Sequence, residues 1–187
     1  MKKNLSSCLL SAVIVAASFG GIASAQTNPS AQSDRAASPT ASARSDAPDA
    51  KFVVTASAAG MAEVALGKLG AAQGGSSEVK AFGQQMVTDH TKANDELKSI
   101  ASAKGLPLAP TPPPSDTKAA AIMSKKSGAE FDADFKTRMV ADHKKVVTLF
   151  EKEAKSGDDP ELKAFASKTL PILQHHLEMA QQLPAGK

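Results

Sequence analysis

The sequence predicts an all-α fold, an up-down four-helix bundle, and three observations support this prediction. Four segments repeat their apolar residues at steps of three and four, the spacing of one helix face. Glycine, serine and proline signals typical of helix ends separate the segments. The stretch that contains them, residues 51–184, has the length of one domain and holds no cysteine, so an apolar core must stabilise it.

The first two predicted helices are joined by the pair Gly74-Gly75, which ends the first of them. Ser76 or Ser77 is the predicted N-cap of the second helix, and Gly105 and Pro107 end it. The predicted inner face of the first helix consists of Phe52, Ala56, Ala59, Glu63, Leu66 and Gly70. That of the second consists of Val79, Phe82, Met86, His90, Ala93, Leu97 and Ile100.

A proline-rich connection, Pro107–Pro114, follows the second helix, and a short extra helix is predicted over Asp116–Lys126. A link of this length favours a crossover between distant ends of the bundle over a tight turn.

The third and fourth main helices are predicted to start near Ala129 and at Asp158-Asp159-Pro160, with Gly157 between them. The third has an inner face of Phe131, Phe135, Met139, His143, Val147 and Phe150. The fourth has one of Leu162, Phe165, Thr169, Ile172, His176, Met179 and Leu183.

The N-terminus has the pattern of a secretory signal peptide over residues 1–25. Lys2 and Lys3 precede the apolar run Leu9–Ile22, and Ala23-Ser24-Ala25 is a typical cleavage site. The mature chain is therefore expected to start at Gln26 and to be periplasmic or secreted. If the signal stays uncleaved, the protein is anchored in the membrane instead.

Residues 26–50 are rich in alanine, serine, aspartate and proline and are predicted to be a disordered spacer. The single cysteine, Cys8, lies in the predicted signal, where the apolar run follows it, whereas in a lipoprotein signal that run comes first. The mature protein is thus expected to lack both thiols and disulfides.

Composition disfavours several function classes. Loss of the signal removes two lysines from a chain of formal charge +3, and the chain has no tryptophan or tyrosine, so nucleic acid is not an expected partner. No stable membrane span is expected after signal cleavage. A catalytic thiol, a Gly-x-Ser-x-Gly elbow and a glycine-rich phosphate loop are also missing from the predicted mature chain. Protein partners stay undetermined, and a homo-oligomer is an open alternative.

Each of the four predicted inner faces, or seams, contains one polar, ionisable residue among apolar ones. These residues are Glu63, His90, His143 and His176. A buried carboxylate needs a partner, a proton or water. Three imidazoles and a carboxylate in one core could coordinate a divalent metal, namely zinc, copper or iron. The alternative is an ordinary packed polar layer without metal.

The heights of these four residues follow from counting along the helices. If both hairpin turns lie at the same end of the bundle, three of the residues are nearly level and His176 lies about one turn deeper. Asp89 and Asp142 precede two of the histidines and point about 100° away from them, so they are expected to be solvated or capping partners. His175 and Glu178 are predicted to form a surface pair.

A di-iron centre of the ferritin type is disfavoured because it needs a Glu-x-x-His step on two helices. The positions three residues before the four mature histidines hold Val87, Val140, Ile172 and Leu173. The sequence does not decide whether the protein is an enzyme, and it favours a non-enzyme.

Several segments, in this order, resemble a bacterial exported family called domain of unknown function 4142. They are Phe52-Val53, Gly60-Met61-Ala62-Glu63, Glu78-Val79-Lys80-Ala81-Phe82, Met86-Val87-x-Asp89-His90-x-Lys92-Ala93-Asn94-x-x-Leu97, Phe131-Asp132 with His143, and Leu170-Pro171 with His176-Leu177. The resemblance implies a ferritin-like helical bundle and an exported protein, and it matches a recurring polar motif to Glu63, Asp89, His90, His143 and His176. It implies little about activity.

Two hypotheses result for the function. The first is a ferritin-like bundle that binds a metal ion or another small ligand through Glu63, His90, His143 and His176, in metal handling or envelope stress. The second is a non-catalytic envelope interaction or stress protein without metal, in which the histidines only fix the packing.

Overall fold

The computed structural model describes residues 47–185 and confirms the all-α bundle. It contains four long helices and one short one: α1 Pro48–Gln73, α2 Ser77–Lys104, α3 Pro114–Met123, α4 Gly128–Ser156 and α5 Pro160–Gln182. Within the described range there is no strand beyond one isolated bridge between Gly74 and Gly128. The predicted signal peptide and nearly all of the predicted spacer lie outside the described residues.

The helix ends have the chemistry that the sequence predicts. The Ser76 side chain caps α2 by accepting a hydrogen bond from the Val79 amide at 3.2 Å. Asp159 caps α5, accepting from two backbone amides at 2.9 and 3.1 Å, and Pro160 occupies the first turn, where no amide is needed. Gly105 ends α2 in the left-handed conformation, with φ 63°.

The chain forms two helical hairpins, α1–α2 and α4–α5, which pack through α1 on α4 and through α2 on α5. The α1–α2 turn meets the start of α4, because Gly74 bridges to Gly128. At the other end the start of α1 meets the α4–α5 turn, because Asp49 accepts hydrogen bonds from the amides of Asp158 and Asp159 at 3.0 and 2.7 Å. Helices α1 and α4 are therefore antiparallel, and the α2–α4 connection runs the length of the bundle. One long crossover is the connectivity of ferritin-like bundles.

The two hairpin turns thus lie at opposite ends of the bundle, whereas the height estimate assumed one end. The inferred one-turn offset of His176 is wrong for this reason. When the residues of α5 are counted from the opposite end, His176 lies level with the other three residues of its layer. The centroid of the His176 ring is accordingly only 5.3 Å from that of His90 and 5.6 Å from that of His143.

The short helix α3 starts two residues earlier and ends three residues earlier than predicted, at Pro114 and Met123. Proline fits the first helical position because its missing amide is not needed there. Buried Met123 fixes the end of α3 in the core, and the Gln73 side-chain amide donates to the Ser124 carbonyl at 3.2 Å. Helix α3 covers one half of the outer groove between α1 and α4.

The core consists of two apolar clusters with a polar layer between them. One cluster contains Phe52, Leu97, Phe150 and Phe165, near the α4–α5 turn. The other contains Phe82, Met86, Phe131, Phe135 and Met139, near the α1–α2 turn. The layer that separates them is the candidate functional site.

One residue of the predicted seam is on the wrong face. Ile172 was expected inside, but it is 42% exposed, and Leu173 is buried in its place. The buried set Thr169, Leu173 and His176 advances by four and then three residues, which also keeps to one helix face, so spacing alone did not distinguish the two positions.

Among the described residues, one helix is long and apolar enough to cross a membrane by length and composition, namely α1. Such a helix near the N-terminus is compatible with a signal or an anchor. In this fold α1 contributes Phe52, Val53 and Leu66 to the apolar clusters and Glu63 to the polar layer.

At the α4–α5 end, Glu153 is buried among other carboxylates. Its exposed fraction is 5%, and its Oε1 atom has no hydrogen-bond partner among the described residues. Burial, and then repulsion from Asp49, Asp158 and Asp159, raises the pKa of Glu153 to about 7, which Lys163 offsets only in part.

We expect the substitution Glu153→Gln to stabilise the protein at pH 8 and not at pH 4. Above the ordinary pKa of 4.5 the unfolded chain loses this proton, whereas the folded chain keeps it until about pH 7. Stability therefore falls as pH rises from 4.5 to 7. With solvent screening near the surface, the glutamine should raise the melting temperature by about 4 °C at pH 8. Thermal unfolding measured at both pH values checks this.

The matched control is Glu151→Gln, an exposed residue on the same helix. It should leave the pH dependence unchanged. An equal gain from Glu153→Gln at pH 4 and pH 8 would contradict the assignment of the effect to the buried charge.

Candidate metal centre

One polar side chain from each long helix enters the layer between the apolar clusters. Glu63 comes from α1, His90 from α2, His143 from α4 and His176 from α5. All four are buried, with exposed fractions of 4% or less. The centroids of the three imidazole rings lie 5.3 to 5.7 Å apart. The structure thus brings together all four residues that the sequence singled out.

Two of the histidines have one ring nitrogen engaged by an acceptor outside the layer. His143 Nδ1 lies 2.9 Å from the Met139 carbonyl oxygen, one turn earlier on α4. His176 Nε2 lies 2.9 Å from Asp89 Oδ2, across the α2–α5 interface. Because a carbonyl and a carboxylate only accept, each of these nitrogens carries the proton. The other nitrogen of each ring is left with its lone pair.

The third histidine is engaged by the carboxylate of the layer. His90 Nδ1 lies 3.1 Å from Glu63 Oε2, with both side chains buried. Nδ1 therefore donates to Glu63, and Nε2 points away from that contact.

The remaining polar atoms of the layer have no hydrogen-bond partner in the described part of the chain. They are His90 Nε2, His143 Nε2, His176 Nδ1 and Glu63 Oε1, one from each helix. The three histidines offer ligand atoms that all lie within 4.8 Å of one another, and Glu63 Oε1 is 3.8 Å from His143 Nε2. Unpaired buried atoms are costly, and one shared ligand could satisfy all four of these atoms.

These separations are close to those of a metal site. Four ligands at about 2.1 Å from a tetrahedral ion lie about 3.4 Å from each other. Ligand atoms of the three imidazoles lie up to 4.8 Å apart, so the rings would move closer together to reach this geometry. His143 and His176 are oriented by partners outside the layer, as is usual for histidines that bind metal, and His90 is oriented by Glu63 within it.

Burial keeps two of the imidazoles neutral at neutral pH. It lowers the pKa of His176 to about 4, with a further contribution from the nearby His90. Burial also lowers the pKa of His143. A neutral imidazole is the form that binds a metal, so these two residues are in the required state.

His90 and Glu63 form an ionic pair instead. Burial alone would lower the pKa of His90, but attraction to Glu63 and the hydrogen bond with it outweigh burial and raise this pKa. Burial would likewise raise the pKa of Glu63, and the interactions with His90 first, and then with His143 and His176, outweigh it and lower that pKa. A metal ion at His90 Nε2 would take the place of the proton on that nitrogen, while Nδ1 would keep its proton and continue to donate to Glu63.

Asp89 has a larger role than the sequence suggested. It was expected to be a solvated or capping side chain, but it holds His176 across the helix interface. Burial would raise the pKa of Asp89, and hydrogen bonds from Gln85 and His176 outweigh it and lower this pKa. The position of Asp89 directly before His90 indicated that it lies near the site. Only the packing of α2 on α5 shows that the histidine it contacts is His176.

The other polar candidates lie outside the layer. Asp142 pairs with Arg138 through the guanidinium Nε, and Arg138 also bonds to Asp116 at 2.5 Å. His175 and Glu178 are exposed on α5. His175 therefore offers a natural control for experiments on the three buried histidines.

The fold and the site together define a helical-bundle protein with a buried layer of three histidines and one carboxylate. The chain belongs to the family described as Domain of unknown function (DUF4142), whose model matches residues 33–183. This match confirms the family that the sequence motifs resemble, and its description assigns no activity. Searches of the curated proteins and of the solved structures found no match.

Proposed function

We propose that this protein binds one divalent transition-metal ion in the core of its bundle. The observation that carries the proposal is the set of three free imidazole nitrogens, on His90, His143 and His176. Each ring is fixed by an acceptor at its other nitrogen. Without a metal ion, the lone pairs of His143 and His176 and the Nε2–H of His90 stay unpaired in the core, which is unfavourable; an ion in place of the His90 proton would satisfy all three nitrogens.

The ligand set indicates the class of metal. Imidazole suits zinc, copper and iron, whereas calcium and magnesium prefer oxygen ligands. Glu63 Oε1 supplies the fourth ligand in this proposal, while Glu63 Oε2 continues to accept from His90. One carboxylate is too few for the di-iron centre of ferritin-like oxidases, which favours a single ion.

We infer a role in metal handling outside the cytoplasm. The support for export is the predicted signal peptide and its cleavage pattern. A site whose four candidate ligands all come from the protein suits the storage or buffering of an ion better than turnover of a substrate.

Titration of metal-free protein with zinc, copper and iron by calorimetry tests the proposal. We expect about one equivalent of metal to bind, and His143→Ala to weaken binding by more than about 100-fold. The variant Asp89→Asn should show a smaller loss, of about tenfold, because it affects only the orientation of His176. The matched control is His175→Ala, which should bind like the unaltered protein.

If the unaltered protein binds none of the three metals, the layer is a packed polar feature. The second hypothesis from the sequence, a non-catalytic envelope interaction or stress protein without metal, is then favoured. Binding that survives His143→Ala but not His175→Ala would place the metal on the surface and also contradict the proposal.

A further inference from the structure

The outer groove between α1 and α4 is only half covered by α3. Beyond the N-terminal end of α3 lies an open cavity of about 670 Å³. Its walls are small and apolar side chains, chiefly Val54, Ala58 and Ala62 from α1, with Val146 and Leu149 from α4. Val54 is 36% exposed, so an apolar surface faces solvent here.

The dimensions of this cavity fit a small molecule. From Val54 to Ala62 the wall on α1 measures about 12 Å, the length of an extended chain of about ten carbon atoms. Pro113 and Asp116, at the start of α3, close one end, so a longer peptide helix would be blocked. The volume lies within the range of about 300–1,000 Å³ that is typical of ligand sites.

The charges around the cavity differ between its two ends. At the closed end, Arg138 pairs with both Asp116 and Asp142, and Lys145, which also lines the cavity, lies 3.6 Å from Asp142. At the open end, Lys152 is exposed and has no carboxylate partner within 4.0 Å in the described part of the chain. One uncompensated positive charge therefore lies at the mouth of an apolar groove.

We propose that this cavity binds a small anionic amphiphile, a carboxylate with an apolar chain of about ten carbons. The chain lies between α1 and α4, and the carboxylate pairs with Lys152. Glu63 also lines the cavity, so the occupant lies beside the polar layer, but the proposal does not depend on a metal there.

Calorimetric titration of the full mature chain with decanoate tests this proposal. We expect one molecule to bind, and octanoate to bind about tenfold more weakly because it lacks two methylene groups. Lys152→Glu should weaken decanoate binding by at least about tenfold, since it places like charge at the carboxylate. Ala58→Leu, which fills the groove, should abolish binding. The matched control Lys144→Glu, an exposed lysine of α4 that does not line the cavity, should have no effect.

Decylamine, with the same chain and the opposite charge, should bind much more weakly than decanoate. Equal or tighter binding of decylamine would overturn the proposal, as would absence of decanoate binding to the unaltered protein. Decanoate affinity that survives both Lys152→Glu and Ala58→Leu would overturn it too, because the amphiphile would then bind elsewhere.

Discussion

Saturation with metal should raise the melting temperature of the protein by about 15 °C. A ligand that binds only the folded state at a thousand times its Kd stabilises that state by about 4 kcal/mol. For a domain of this size each kcal/mol corresponds to about 4 °C. The measurement is thermal unfolding by circular dichroism, with chelator-treated protein compared with protein at saturating metal.

The structural reason for so large a shift is the cost of the layer without metal. Glu63, His90, His143 and His176 are buried between two apolar clusters, and each leaves one polar atom unpaired in the described structure. Unpaired buried groups of this kind cost about 1–3 kcal/mol each, and a shared ion removes the cost at all of them together.

The same comparison in His143→Ala should show a shift of about 2 °C or less, because one ligand and the outer contact to Met139 are lost. The control His175→Ala should keep the full shift. If His143→Ala is stabilised by metal as much as the control, the ion does not bind in this layer.

The second large effect concerns the contact that joins the two hairpins. Asp132, at the start of α4, is 3% exposed and accepts hydrogen bonds from the backbone amides of Gly75 and Ser76 at 2.7 and 2.9 Å. Replacement by alanine removes two hydrogen bonds from partly buried amides to a charged acceptor and should cost about 3 kcal/mol, or about 12 °C in melting temperature.

Urea unfolding of Asp132→Ala measures this cost, and Asp132→Asn, which keeps one acceptor oxygen, should fall between it and the unaltered protein. The matched control is Asp134→Ala, on the same helix, whose carboxylate is 47% exposed and pairs with Lys126. That exposed pair should contribute little to stability. Equal losses in Asp132→Ala and Asp134→Ala would show that the buried contact does not hold the hairpins together.

The helices were predictable because their ends are marked by local chemistry. The Gly74-Gly75 break, the Ser76 cap and the Asp159-Pro160 start act within one or two turns, and the structure shows them where the sequence placed them. The bounds of α3 were less predictable, since proline-rich connections carry several equivalent start signals. Ile172 and Leu173 both fit a spacing of three and four residues, so the packing of α5 decides which of the two is buried.

The relative direction of the two hairpins could not be predicted from local sequence patterns. It depends on contacts between residues far apart in sequence, such as Asp49 with the α4–α5 turn and Asp132 with the α1–α2 turn. For the site, the seam positions were enough to predict that Glu63 and three histidines meet in the core, but not that His176 lies level with the others. The partnership of Asp89 with His176 was not predictable, because it depends on the packing of two helices. Coordination of a metal by these residues stays a prediction.

The most direct test of the central claim is a crystal structure of the metal-loaded protein, with anomalous diffraction recorded at the absorption edge of the metal. The proposal predicts one strong anomalous peak between His90 Nε2, His143 Nε2 and His176 Nδ1, at about 2.0–2.1 Å from each nitrogen. A peak elsewhere in a fully loaded protein, or a layer without any peak, would contradict it.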